Sequence, residues 1–351
     1  MEPASRGEGH RSRGSRRNSI EEDFRGIAGN LSIDESSIPR RSETMSEKLR
    51  FIQYLERRGC YGSVVSTKHL EELGAEIKAL HDEHALADAI YTDYGGKVFN
   101  PHLPKSLPHA KSIIVVATPQ PVLRTTFHHD GNSYQFIVPP TYFDNAKVTW
   151  HARSLLKEAF RPNSYKFVRA ALPLKLLAVR SGLALYGKTN VTYVPKHGSF
   201  HRLTAFYSDY DSPVDNWQEK KGLPLCSKCK ACLNACPTGA IQKDRFLIRA
   251  ERCLTYLNEK ASKHKFPEWV DPSSHNALIG CMRCQRACPY NKDFSNSFEG
   301  RGEFSEEETE YLLKGKFSGS KAARIEKKLK RLGLDLTTFP RNLQALIDSR
   351  P

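Results

Sequence analysis

Eight of the nine cysteines fall between Cys226 and Cys288, and their spacing speaks most directly of chemistry. The first run is Cys226-x2-Cys229-x2-Cys232-x3-Cys236-Pro237. A tight loop with this spacing wraps an iron–sulfide cube so that three thiolates reach three irons, while the fourth cysteine turns to a second cube. The spacing predicts that the fourth cysteine sits on the helix that follows, with Pro237 setting the direction of the chain at the turn.

The second half reads Cys253 … Cys281-x2-Cys284-x3-Cys288-Pro289, the same pattern with its first ligand moved upstream. Two trios and two exchanged cysteines make eight ligands, the number that two [4Fe–4S] clusters of the bacterial ferredoxin type require. The exchange rule groups Cys226, Cys229 and Cys232 with Cys288 as cluster 1, and Cys236 with Cys253, Cys281 and Cys284 as cluster 2. Zinc sites also use CxxC pairs, but they need neither a CxxCxxCxxxC run nor two Cys-Pro endings. Lys228, Lys230, Arg283 and Arg286 stand close enough in sequence to raise a cluster's potential, to dock a donor, or simply to meet solvent. Cys60 stands apart and reads as a small buried side chain.

Elements must hold this module in place. Leu49, Ile52 and Leu55 recur at helical spacing behind Ser46 as N-cap, and Leu70, Leu73, Ile77 and Leu80 repeat the pattern. The β-branched run Ser112-Ile113-Ile114-Val115-Val116-Ala117 predicts a buried strand. Helices are expected over Asn145 to Glu158 and over Leu174 to Leu185, the latter ending near Gly187. Helices alternating with buried strands argue for an α/β fold. The domain reading is a polar, basic tail at 1–44, disordered by composition, and an α/β domain at 45–215. A ferredoxin-type double-cluster domain at 216–296 and a helical C-terminal segment at 297–351 follow, with helices over Glu306 to Leu313 and Lys321 to Leu332.

Composition bounds the rest. A hydrophobic share of 39% with 26% charged residues fits a soluble globular protein. No apolar run reaches the roughly 20 residues of a membrane span. The pair Arg16-Arg17 is followed by polar and acidic residues where an export signal needs an apolar stretch. The reading is therefore cytoplasmic, with no membrane partner. The net charge of +15 suits an anionic partner, a nucleic acid or an acidic electron donor, and equally suits a solvated basic surface.

Cys253-Leu254-Thr255-Tyr256-Leu257 followed by Gly280-Cys281-x2-Cys284-Gln285-x2-Cys288-Pro289-x-Asn291-Lys292 resembles the double-cluster region of epoxyqueuosine reductases. Upstream, Gly182-Leu183 … Gly187-Lys188-Thr189-Asn190 … Pro195-x-His197-Gly198-Ser199 and Pro108-x-Ala110-Lys111-Ser112-Ile113-Ile114-Val115 resemble further segments of that family. With the related reductive dehalogenases, the family is cobalamin-dependent. The resemblance therefore implies a corrinoid held in the α/β domain and fed electrons singly. It implies that Lys188, Asn190 and Ser199 touch that cofactor, although GKTN and HGS also read as ordinary turns.

One departure is chemical. The family's proton-donating Asp falls on Val168 in a gapless reading from Gly182, and no Asp or Glu occurs from Ala159 to Ser208. The dehalogenases use a Tyr with a basic neighbour. By that resemblance Tyr186 and Tyr193, near Lys188, become the candidate proton donors; a tyrosine is also commonly a core residue. The leading expectation is an iron–sulfur oxidoreductase that takes electrons from a reduced ferredoxin or flavodoxin-type donor, with tRNA as one anionic partner. The alternatives are an electron-transfer protein without corrinoid, or a tRNA-binding relative without the chemistry.

Overall fold

In the computed structural model, residues 47–95, 99–143, 145–161, 163–294, 298–334 and 336–350 are described. The tail at 1–44 and the expected N-cap Ser46 lie outside them. The strands are β1 (Tyr61–Ser66), β2 (Ser112–Pro119), β3 (Val122–His129), β4 (Asn132–Val138), β5 (Phe167–Arg169), β6 (Leu185–Tyr186), β7 (Thr192–Tyr193), β8 (His201–Ser208) and β9 (Phe298–Phe304). The main helices are α1 (Glu47–Glu56), α2 (Leu70–Asp82), α3 (Asn145–Ala159), α4 (Leu174–Arg180), α5 (Ala231–Ala235), α6 (Leu254–Glu259), α7 (Arg283–Ala287), α8 (Glu306–Leu313), α9 (Gly319–Arg331) and α10 (Phe339–Asp348).

Strand β2 is buried along its length up to Thr118, because both of its faces are covered. It lies inside an antiparallel sheet of order β1-β2-β8-β5. Alternate residues point to opposite faces. Ile113, Val115 and Ala117 meet Leu70 and Leu73 of α2 and Leu176 and Leu177 of α4. Ile114 and Val116 meet Phe51 and Leu55 of α1 and Leu155 and Leu156 of α3. The expected α/β architecture is thus a sheet between helical layers, and Cys60 is buried in the second of these cores.

A second sheet, β4-β3-β9, joins distant parts of the chain: β3 and β4 form a hairpin, and β9 runs parallel to β3. Leu123, Phe127 and Phe136 from the hairpin share a core with Phe304, Leu312, Ile325, Leu329, Phe339 and Leu343. The C-terminal helices therefore pack on the strands that precede the cysteines. Thr44–Pro351 form one compact unit.

Two expectations need correction. The helix beginning at Leu174 stops at Arg180, where Gly182 takes a φ of +71°, and Leu185–Tyr186 instead pairs with Thr192–Tyr193 as a short hairpin. Leucine periodicity alone could not register that stop. Cys236 also does not sit on a following helix; it caps the end of α5, in extended conformation. Among the described residues, no helix is long and apolar enough to cross a membrane.

A double cysteine centre and the cavity beside it

The module from Cys226 to Cys288 repeats one local design. Cys232 and Cys284 each occupy the second position of a five-residue helix, α5 and α7, and the two helices pack on each other. Cys236 and Cys288 end those helices with nearly the same geometry, each N–H reaching a carbonyl three residues back at 3.3 Å. A proline follows each cysteine and prevents the helix from continuing. Cys253 begins α6, which supplies the upstream position of the second repeat.

A first quartet of the thiols shares one pocket. Cys226, Cys229, Cys232 and Cys288 line one pocket, together with Lys188, Thr189, Tyr193 and Tyr290. Burial, then repulsion from Cys226, Cys288 and Cys229, pushes the Cys232 thiol up to about 11. The Cys284 thiol is raised by burial and then chiefly by Cys281, Cys253 and Cys236. Thiols held so closely carry this mutual cost until a cationic centre binds their deprotonated forms. Among the described residues, no three or more His, Cys, Asp or Glu side chains are set to hold a single metal ion.

A joint ties the module to the first sheet. Asn291, fully buried, accepts the Ser199 N–H at 2.9 Å and donates to Ser199 Oγ at 2.8 Å and to the Gln285 carbonyl at 2.8 Å. The Ser199 hydroxyl also donates to the Gln285 side-chain carbonyl at 3.1 Å. Gly198 permits this approach. A Cβ there would lie 2.3 Å from Asn291 Oδ1, and its φ of +53° suits glycine. Behind it, His201 Nδ1–H donates to the Gly198 carbonyl and Nε2 accepts from Thr192, both at 3.1 Å. Burial lowers the His201 pKa to about 4, so the ring is neutral at pH 7.

The other candidates take specific places. Lys188 borders the first cysteine pocket, and Ser199 lies in the joint. Asn190 turns the β6–β7 hairpin with a φ of +58°, and its carbonyl accepts from Lys175 at 3.1 Å. Tyr193 is 1% exposed and sits against the first quartet. Tyr186 is in the core, edge-on to Phe246, and burial raises its phenol well above the ordinary value. Val168 lies in β5 opposite Tyr207.

A polar cavity of about 520 Å³ is bordered by Thr141, Tyr142, Asn145, Ala146, Arg202, Glu259, Lys330 and Gly333. Tyr142 donates to Glu259, and Arg202 donates to the Thr141 carbonyl. The Tyr142 ring lies over Gly280, next to Cys281. Neither Tyr186 nor Tyr193 borders this cavity. Sequence reasoning missed its lining residues, as well as Asn276, whose Nδ2 donates to Cys281 Sγ at 3.2 Å. Their separation along the chain leaves no motif to find.

The family described as 4Fe-4S double cluster binding domain matches residues 225–291. An epoxyqueuosine reductase from Escherichia coli is 37% identical over 134 residues, covering 38% of this chain and 33% of that protein. One from Pseudomonas aeruginosa is 29% identical over 187 residues, covering 49% and 50%. The chain thus spans about a third to a half of the length of these curated relatives. Among solved structures, epoxyqueuosine reductase from Bacillus subtilis matches with a TM-score of 0.60 and 20% identity, over 86% of this chain and 80% of that one. An epoxyqueuosine reductase with an epoxyqueuosine-modified tRNA stem loop matches with a TM-score of 0.58 and 19% identity, over the same shares. At such identity the likeness is one of fold. The chain is an iron–sulfur protein similar to epoxyqueuosine reductases, with a double [4Fe–4S] cluster binding domain over residues 225–291.

Proposed function

We propose that this chain is a cytoplasmic iron–sulfur oxidoreductase that passes single electrons from a ferredoxin or flavodoxin-type donor to an acceptor in the cavity bordered by Tyr142, Arg202 and Glu259. The observation that supports this reading is the pocket that Cys226, Cys229, Cys232 and Cys288 line together, with the Cys284 thiol raised by burial and by Cys281, Cys253 and Cys236. Cys226, Cys229, Cys232 and Cys288 hold cluster 1, and Cys236, Cys253, Cys281 and Cys284 hold cluster 2. Lys228, Lys230 and Leu225 are exposed beside the first quartet and suit an acidic donor. Tyr142, packed over Gly280, connects the second quartet with the cavity.

The cavity has the size that takes a drug-sized ligand. Its donors suit part of a corrinoid, whose ring rim carries amides and whose nucleotide loop carries a phosphate. Arg202 and Lys330 suit the phosphate, and Thr141 and Asn145 suit the amides. The clusters supply one-electron transfer, and a corrinoid supplies the reactive metal centre. The chain's own part is to hold the acceptor and to place Tyr142 and Glu259 as polar groups beside it. Reduction of an epoxyqueuosine-like group in tRNA is the substrate reading that the relatives suggest.

Anaerobic reconstitution with iron and sulfide, followed by EPR, tests the clusters. About eight irons per chain are expected, and zinc in their place would overturn the redox reading. Addition of cobalamin should then give a bound-corrinoid absorption spectrum. The lack of Asp and Glu from Ala159 to Ser208 favours a second reading, an electron-transfer protein without corrinoid. An unchanged cobalamin spectrum would select it. A steep fall of tRNA affinity with salt is expected of a phosphate-binding surface, and a flat profile removes tRNA as a partner.

A further inference from the structure

The β6–β7 hairpin lies outside the double-cluster domain, yet it borders the first cysteine quartet. Its strands are tied to the chain entering that quartet: the Tyr186 N–H reaches the Lys221 carbonyl at 3.0 Å, and the Leu223 N–H reaches the Tyr186 carbonyl at 2.8 Å. The hairpin therefore moves with Cys226. From its turn, Lys188 lines the pocket of that quartet beside Cys226, and its backbone N–H and ammonium both favour the Cys226 thiolate. From its second strand, Tyr193 lines the same pocket beside Cys288 and Thr189, and its phenol acts on the Cys288 thiol. Tyr193 can take this place because residue 187 is glycine. A Cβ at Gly187 would lie 2.5 Å from the tyrosine ring.

The second quartet has a side-chain donor from a different element. Asn276 Nδ2 bonds Cys281 Sγ at 3.2 Å, and the side chain is held by the Met282 N–H, which its Oδ1 accepts at 3.0 Å. The two centres thus receive donors from unrelated parts of the chain. Each can be altered without touching the other.

We propose that the hairpin from Leu185 to Tyr193 is a redox-tuning cradle for cluster 1, in which the Tyr193 hydroxyl, the Lys188 N–H and the Lys188 ammonium raise its reduction potential. The proposal rests on the assignment of the first quartet as cluster ligands. Reduction adds negative charge that is shared by the thiolate sulfurs. A donor or a positive charge facing those sulfurs favours the reduced state more than the oxidised one. Tyr193 and Lys188 act through Cys288 and Cys226, so they are positioning residues. The phenol also occupies space in which water would otherwise solvate the sulfur.

The test is an EPR-monitored titration with dithionite of the anaerobic, full-length holoprotein. Tyr193→Phe removes one hydroxyl, and Lys188→Gln removes the charge but keeps the backbone donor. Each is expected to lower the midpoint of cluster 1 and leave that of cluster 2 in place. Asn276→Leu is expected to do the reverse, which assigns the two midpoints. Deuterium exchange followed by ENDOR should show an exchangeable deuteron coupled to cluster 1 that disappears in Tyr193→Phe. Should Tyr193→Phe lose cluster 1, Lys188→Gln carries the titration. Full iron content with an unmoved cluster 1 midpoint in the tested variants overturns the cradle and leaves the cluster assignment standing. A wild-type protein without iron overturns both.

Discussion

Asn291 and Ser199 are joined at two points, 2.9 Å from Ser199 N to Asn291 Oδ1 and 2.8 Å from Asn291 Nδ2 to Ser199 Oγ. They stand 92 positions apart in the chain. This pair links the segment after Cys288 to the loop entering β8, so the position of one cysteine quartet is set against the first sheet. Asn291→Leu leaves the Ser199 N–H and hydroxyl and the Gln285 carbonyl without this partner in a buried place. A loss of about 3 kcal/mol is expected from such unpaired groups. A urea unfolding midpoint, measured anaerobically, checks it. A midpoint equal to the wild type would show that the joint carries no stability.

Cys229 borders the first quartet's pocket. Cys229→Ala is expected to lower the iron content from about eight to about four per chain and to remove one of two EPR signals. Loss of both signals would show that each cluster is needed to fold the other's loop.

The C-terminal helix braces the second quartet from outside the double-cluster domain. Asn342, buried in α10, donates to the carbonyls of Asn258 at 2.8 Å and Leu278 at 3.0 Å. Asn258 in turn donates to the Gly280 carbonyl at 2.7 Å. Its neighbour Arg341 holds the carbonyls of Leu257 and His264 at 2.7 Å and 2.6 Å and lies over Phe266. Asn342→Leu is expected to cost about 2 kcal/mol and to make cluster 2 the first lost to a chelator. Loss of iron from cluster 1 first would contradict this placement.

His201 gives a pH dependence of known sign. Its folded pKa of about 4 lies below the ordinary histidine value of 6.5. Between those values the unfolded chain binds a proton that the folded one does not. The stability from this residue is therefore present above pH 6.5 and is lost as pH falls from 6.5 towards 4, by about 3 kcal/mol in total. His275, lowered to about 4 by burial and then Arg341, adds loss in the same window. His201→Gln is expected to flatten the decline of the unfolding midpoint between pH 7 and pH 5 without abolishing it. An unaltered slope would show that His201 is not the group titrating.

The cysteine centre was legible from the chain alone because its ligands are local. Seven of its eight cysteines fall in two runs whose spacing is dictated by the size of the cube they surround. The buried strand Ser112–Pro119 and the helices at Leu70, Asn145 and Glu306 were legible for a similar reason, since each repeats an apolar pattern over a few residues. The β6–β7 hairpin was not, because the leucines before it continue a helical period past the point where Gly182 breaks the helix.

Residues that meet across the fold were decided only by the tertiary structure. Lys188 and Ser199 stand out in the sequence as motif residues, yet one borders a cysteine pocket and the other bonds Asn291. Tyr142, Arg202 and Glu259 carry no motif and share one cavity because β8, α6 and the loop before α3 converge there. Spacing along a chain encodes what a single turn or loop can hold. Which side chains face one another across packed elements depends on how all the buried surfaces fit at once, and no local pattern records that fit.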